Sequence, residues 1–140
     1  MSKRWFWAAL LVIVPLAIAR PNWAQADARN DYRLIEPDEF RQIFGAASIE
    51  PRALAHDLFS AFAGDSEGRR SESLEITYPE PGQAVVTVEI IGLSDDSIAG
   101  SRYRVELQYN DGSWQVVWVG TQTQCWPGRG HQNWSSALCS

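Results

Sequence analysis

Both cysteines, one of the two histidines and two tryptophans fall within a single stretch, "CWPGRGHQNWSSALC", Cys125 to Cys139. Three kinds of chemistry are open to such a set. His131 is a candidate general acid or base, with Arg129 as an anion clamp, provided that Glu106 or Asp57 comes within hydrogen-bond reach. Cys125, Cys139, His131 and His56 together offer the ligand types zinc takes, but their spacing matches neither C-x2-C nor H-x3-H. The third reading is structural: the cysteines form a disulfide, and Arg129 and His131 bond the loop's own carbonyls. Trp126 and Trp134 then pack over an edge or end of a sheet. We favour this reading and expect no metal and no cofactor.

The start of the chain decides which redox compartment applies. "MSKRWFWAALLVIVPLAIARPNWAQADARN" has a basic opening at Lys3 and Arg4, an apolar run from Trp5 to Ala19 and a small-x-small triplet, Ala24-Gln25-Ala26. This is the layout of a secretory signal peptide, residues 1–26, with cleavage after Ala26. The apolar run, interrupted by Pro15, is shorter than the roughly 20 residues that span a bilayer. The expected location is therefore secreted or periplasmic. Retention of residues 1–26 as a membrane tether is the alternative. In an exported chain two cysteines read as one disulfide, and closing a loop of this size stabilises by about 3 kcal/mol.

Loss of residues 1–26 removes Lys3, Arg4 and Arg20 from the 12 basic residues, leaving nine against 17 acidic ones, a net charge of −8. No lysine remains. Phosphate-backbone binding needs clustered Lys or Arg, so nucleic acid is excluded as a partner and an anionic membrane is a poor one. No P-loop, dinucleotide-binding glycine turn, G-x-S-x-G elbow or H-E-x-x-H helix occurs. Asn133-Trp134-Ser135 meets the N-glycosylation rule, but only a glycosylating host would use it. Asp95-Asp96 supplies too few oxygens for calcium, and with Arg69-Arg70 it reads as a solvated loop pair.

The elements that must position these residues follow from periodicity. After a flexible lead-in, residues 27–35, one domain spans 36–140, including the tail loop 125–139. "EPDEFRQIF" (Glu36–Phe44) reads as a short helix with Pro37 at its first position. "SIEPRALAHDLFSAFAG" reads as a longer one, starting at Pro51 and stopped by Gly64, with Ala55, Leu58, Phe59 and Phe62 in one apolar stripe. Leu74/Ile76/Tyr78, Val86/Val88/Ile90 and Tyr103/Val105/Leu107/Tyr109 alternate with polar residues, as half-buried strands do. "WQVVWVGTQ" makes a fourth strand.

Asp111-Gly112 is the pair a type I′ hairpin turn needs. With that turn, Tyr109 faces Trp114, Leu107 faces Val116, Val105 faces Trp118 and Tyr103 faces Gly120. The fold expected is α+β, with amino-terminal helices on a four-stranded antiparallel meander and a disulfide-closed tail. Arg102, Arg104, Glu106 and Gln108 form a charged stripe on the outer face.

This element order, over residues 48 to 122, resembles the cystatin-like and nuclear-transport-factor-2-like folds, which host enzymes, inhibitors and binding modules alike. The tail pattern C-x3-R-G-H-x2-W-S-x3-C, with "DDSIAGSRYRVEL" before the hairpin, resembles the carboxy-terminal signature of a group of small exported bacterial proteins. That resemblance implies a shared fold and a shared disulfide-closed tail, and no reaction. The functional expectation is a non-enzymatic domain that binds a protein or small ligand outside the cytoplasm. Its expected site is on the concave sheet face, near Tyr103, Trp118, Trp126, Arg129, His131 and Trp134.

Overall fold

Asp111 and Gly112 both take positive φ, 50° and 81°, and the strands on either side fold into the longest hairpin of the molecule. The computed structural model describes residues 28–44 and 50–140. The proposed export signal, 1–26, lies outside the described residues. Within them the order is β1 (Arg33–Ile35), α1 (Pro37–Phe44), α2 (Pro51–Ala63), β2 (Ser71–Thr77), β3 (Gln83–Ile91), β4 (Ile98–Asn110) and β5 (Ser113–Cys125).

The class is α+β, but the sheet has five strands and not four, in the order β1-β5-β4-β3-β2, all antiparallel. The added strand comes from the segment expected to be a flexible lead-in. Arg33-Leu34-Ile35 is too short to show a period, yet it pairs with Val119–Thr121 and satisfies that edge of β5.

Both helices start where proline is tolerated, at a first turn whose amide would lack an intrahelical partner. Glu50 caps α2, its carboxylate accepting from the Arg52 and Ala53 amides at 2.9 and 3.3 Å. α1 packs on β5, and α2 on β3 and β2. The core between the layers contains Phe40, Leu54, Leu58, Val86, Val88, Val105 and Val119, all buried. Phe59 and Phe62 of the expected stripe pack at its margin. Leu74 and Tyr78, expected to be half-buried, are 44% and 50% exposed, because β2 is the edge strand and α2 covers only part of it.

The hairpin register needs a correction. Tyr109 faces Trp114 and Leu107 faces Val116 as expected, but Val117 is then an extra residue. Beyond this β-bulge Glu106 pairs with Trp118, Val105 with Val119, Arg104 with Gly120 and Tyr103 with Thr121. A one-residue offset reverses facing. Trp118 therefore lies on the outer face, away from the helices, and Val119 fills the core position expected of it.

Candidate functional site

The tail lies along the edge of β5. Cys125 and Cys139 are joined in a disulfide with 5.5 Å between their Cα atoms. Thr123 and Ser135 exchange amide-carbonyl hydrogen bonds at 2.9 and 3.1 Å, and the Cys125 amide donates to the His131 carbonyl at 2.8 Å. β1 covers this edge at residues 119–121 and the tail covers it at 123–125, so little of the edge is left open to another strand. Gly130, at φ 135°, is required here, since a Cβ would lie 3.0 Å from the Cys125 sulfur.

The His131 ring is engaged on both sides by this loop. Nδ1 lies 2.8 Å from the Asn133 carbonyl oxygen and Nε2 3.0 Å from that of Ala137. Both neighbours are acceptors, and a neutral imidazole has a single N–H, so the ring donates to one of these two carbonyls while lying against the other. Neither proposed acid partner joins it. Asp57 sits on exposed α2 surface beside His56, and Glu106 is held between Arg29 and Arg104 on the outer face. The Arg129 carbonyl accepts from the Ser140 amide at 2.8 Å, and its side chain is exposed. Cys125, His131 and Cys139 bring their ligand atoms within 4.8 Å of one another, but the disulfide occupies both sulfurs, and His56 is not among them.

The six residues expected to line one site divide among three places. Trp126 closes an end of the sheet: its indole N–H donates to the Asp95 carbonyl at 2.8 Å, and the Arg70 guanidinium lies 5.1 Å from its ring. Trp134 and Trp118 cover the outer face. Arg102 stacks on Trp134 at 4.3 Å while pairing with Glu89, and Arg29 stacks on Trp118 at 5.1 Å while pairing with Glu106. The charged stripe of β4 is thus roofed by rings and by the segment around Arg29. Glu106 and Gln122 are buried beneath it. Tyr103 alone faces the helices, stacked on Phe62 with 3.8 Å between ring centroids.

Beside Tyr103 opens a cleft of about 570 Å³, lined by Ile35, Phe40, Ile43, Ala61, Phe62 and Tyr103. Four elements build it: β1 and β4 form the floor, and α1 and α2 the walls. The lining is apolar except for the Tyr103 hydroxyl. Burial pushes that phenol above its ordinary value of 10.0, against a smaller opposing pull from the Arg33 charge.

No family model, curated protein or solved structure matches the chain.

Of the cleft residues only Tyr103 is legible in the sequence as a site residue. Phe62 reads as part of an apolar helix stripe, Phe40 only as a residue of the short first helix, and Ile35 falls in the supposed lead-in.

Proposed function

We propose that the chain is an exported, non-catalytic binding domain that takes a small, largely apolar ligand in the cleft between α1 and α2. The observation that carries this reading is the cleft itself. Small-molecule sites are concave, mostly apolar spaces of about 300–1,000 Å³ with a few polar groups that fix orientation, and this one has that size and lining. The disulfide and the acidic, lysine-free chain beyond residue 26 support a place outside the cytoplasm, as does the tail's resemblance to small exported bacterial proteins. A helix laid on an antiparallel sheet, as in cystatin-like and nuclear-transport-factor-2-like folds, leaves its pocket at this kind of junction. An enzymatic role for His131 draws no support from its geometry, because both ring nitrogens already face carbonyl oxygens.

Titration of the exported protein with the neutral fluorescent probe Nile red tests the reading. Ala61→Trp fills the cleft from an exposed helix position. The expected result is saturable binding that this variant abolishes while circular dichroism stays unchanged. Absence of binding, or binding indifferent to Ala61→Trp, would overturn it.

A further inference from the structure

Tyr103, on the floor of the cleft, belongs to a row of polar groups that crosses the sheet. In the antiparallel register Arg33 pairs with Thr121, and Thr121 with Tyr103, so one row crosses β1, β5 and β4. Directly paired residues share a face, and this is the face Tyr103 shows to Phe62 and the helices. The neighbouring row, Ile35–Val119–Val105, is wholly apolar. A polar row thus borders an apolar one where the cleft lies.

None of the three polar groups in that row is used by the fold. Thr121 is 5% exposed, and its hydroxyl is buried without a hydrogen-bond partner. Among the described residues the Arg33 guanidinium makes no ion pair and the Tyr103 hydroxyl no hydrogen bond. Arg33 nevertheless lies close enough to act electrostatically on that phenol. A buried hydroxyl without a partner is costly and rare in a folded protein. Arg102 and Arg104 of β4, and Arg29 before β1, are each paired with a carboxylate. Arg33 is therefore a cation without an ion-pair partner among the described residues, in the same row as Tyr103 and two residues from Ile35, both of which line the cleft.

We propose that the cleft takes an amphipathic anion, a molecule with an alkyl or aryl body and a carboxylate head. Its body lies against Ile35, Phe40 and Phe62, and its head is read by Arg33, Thr121 and Tyr103. This assignment rests on the cleft being a ligand site. The guanidinium supplies charge and directed donors, and the Thr121 and Tyr103 hydroxyls each supply a further donor. A neutral ligand of the same shape would leave these groups unanswered.

Two probes of one shape separate this proposal from the reading beneath it: dansyl-aminoundecanoate and its methyl ester, titrated into the exported protein by fluorescence. The acid is expected to bind about tenfold tighter than the ester, the usual scale of one charge-assisted hydrogen bond. Arg33→Gln should remove most of that preference without weakening the ester, and Arg33→Lys should keep part of it. Thr121→Val, a change of near-equal volume, should weaken the acid severalfold. Arg33 is exposed, so its variants do not endanger folding.

Equal binding of acid and ester, unchanged in Arg33→Gln but lost in Ala61→Trp, would overturn the anion assignment and keep the cleft. Binding of neither probe would overturn both. Self-association abolished by Ile43→Asp would assign the cleft to a second copy of the chain and overturn both as well.

Discussion

Asp31 accepts two hydrogen bonds from Ser136, from the hydroxyl at 2.8 Å and from the backbone amide at 3.3 Å, across 105 residues of chain. The pair ties the segment before β1 to the disulfide loop, where both run along the edge of β5. Gln122 adds a second tie, its amide donating to the Asp31 carbonyl at 3.0 Å. Neither contact involves the cysteines, so the tail is held at its middle as well as at its ends.

The Ser136 hydroxyl, and then its amide, hold the Asp31 carboxyl below its ordinary value of 3.8. The Ile98 and Ser97 amides do the same for Asp95. A carboxyl depressed in the folded state contributes stability that is present above pH 3.8 and is lost as pH falls through the lower folded value. Urea midpoints measured from pH 6 down to pH 2 are expected to fall below about pH 4. The fall should be shallower in Asp31→Asn and Asp95→Asn. An identical slope in these variants would mean that other carboxyls govern acid unfolding.

Cys139→Ser removes the covalent closure of the tail. The loss expected is about 3 kcal/mol in chemical denaturation, with Thr123 and Cys125 amides losing hydrogen-exchange protection before the β3–β4 core. A reductant should reproduce the effect in the native chain. Equal protection with and without the bridge would show that the hydrogen bonds of Asp31 and His131 hold the tail unaided.

Gly120 has no room for a side chain. A Cβ there would overlap the Trp118 ring and lie 2.9 Å from the Tyr32 Cβ. Gly120→Ala should cost about 1–3 kcal/mol, the usual range for overpacking. Trp118 fluorescence should shift to the red as the ring is displaced into solvent. Thermal unfolding of this variant beside Gly112→Ala, which meets only turn strain, separates crowding from backbone conformation.

Glu106 is 7% exposed and answers two cations, Arg29 at 2.6 Å and Arg104 at 3.0 Å. Glu106→Gln should destabilise by about 2 kcal/mol, because two guanidinium groups lose their counter-charge in a partly desolvated place. Arg41→Gln breaks an exposed pair with Asp38 and one hydrogen bond to the Val116 carbonyl, and should cost less, about 1 kcal/mol. A double-mutant cycle between Glu106 and Arg29 that returns no coupling would count against the roofed network on the outer face.

What the sequence discloses and what it hides divide at Val117. The turn half of the hairpin is legible because Asp111-Gly112 permits one turn geometry, and Tyr109–Trp114 and Leu107–Val116 follow from it. Beyond Val116 the alternation of residue types runs on without a break through Trp118 and Gly120. No local pattern marks Val117 as surplus. The true register is decided by distant groups, Arg29 and Tyr32 receiving Trp118 outside and Ile35 meeting Val119 inside. β1 is hidden for a related reason: three residues make a strand only because an unpaired edge of β5 awaits them. The cleft is least legible, since Ile35, Phe40, Phe62 and Tyr103 belong to four elements and meet only in the finished fold. The disulfide is the opposite case, a pairing that two cysteines in one chain leave no freedom to vary.

Val117 divides β5 into two reading frames. Positions before it are read from the turn, so that even-numbered residues such as Trp114 and Val116 face inward. Positions after it are read from the edge partner, and there odd-numbered residues such as Val119 and Thr121 do. A substitution anywhere in the strand changes one side chain. A deletion of the surplus residue would instead merge the frames into one unbroken alternation, with Trp118 still opposite Glu106 on the outer face and Val119 still opposite Val105 on the inner one. The bulge is thus the point at which the strand can absorb a single-residue length change, whereas the same change at Val119 or Gly120 would trade the inner and outer populations of the residues beyond it.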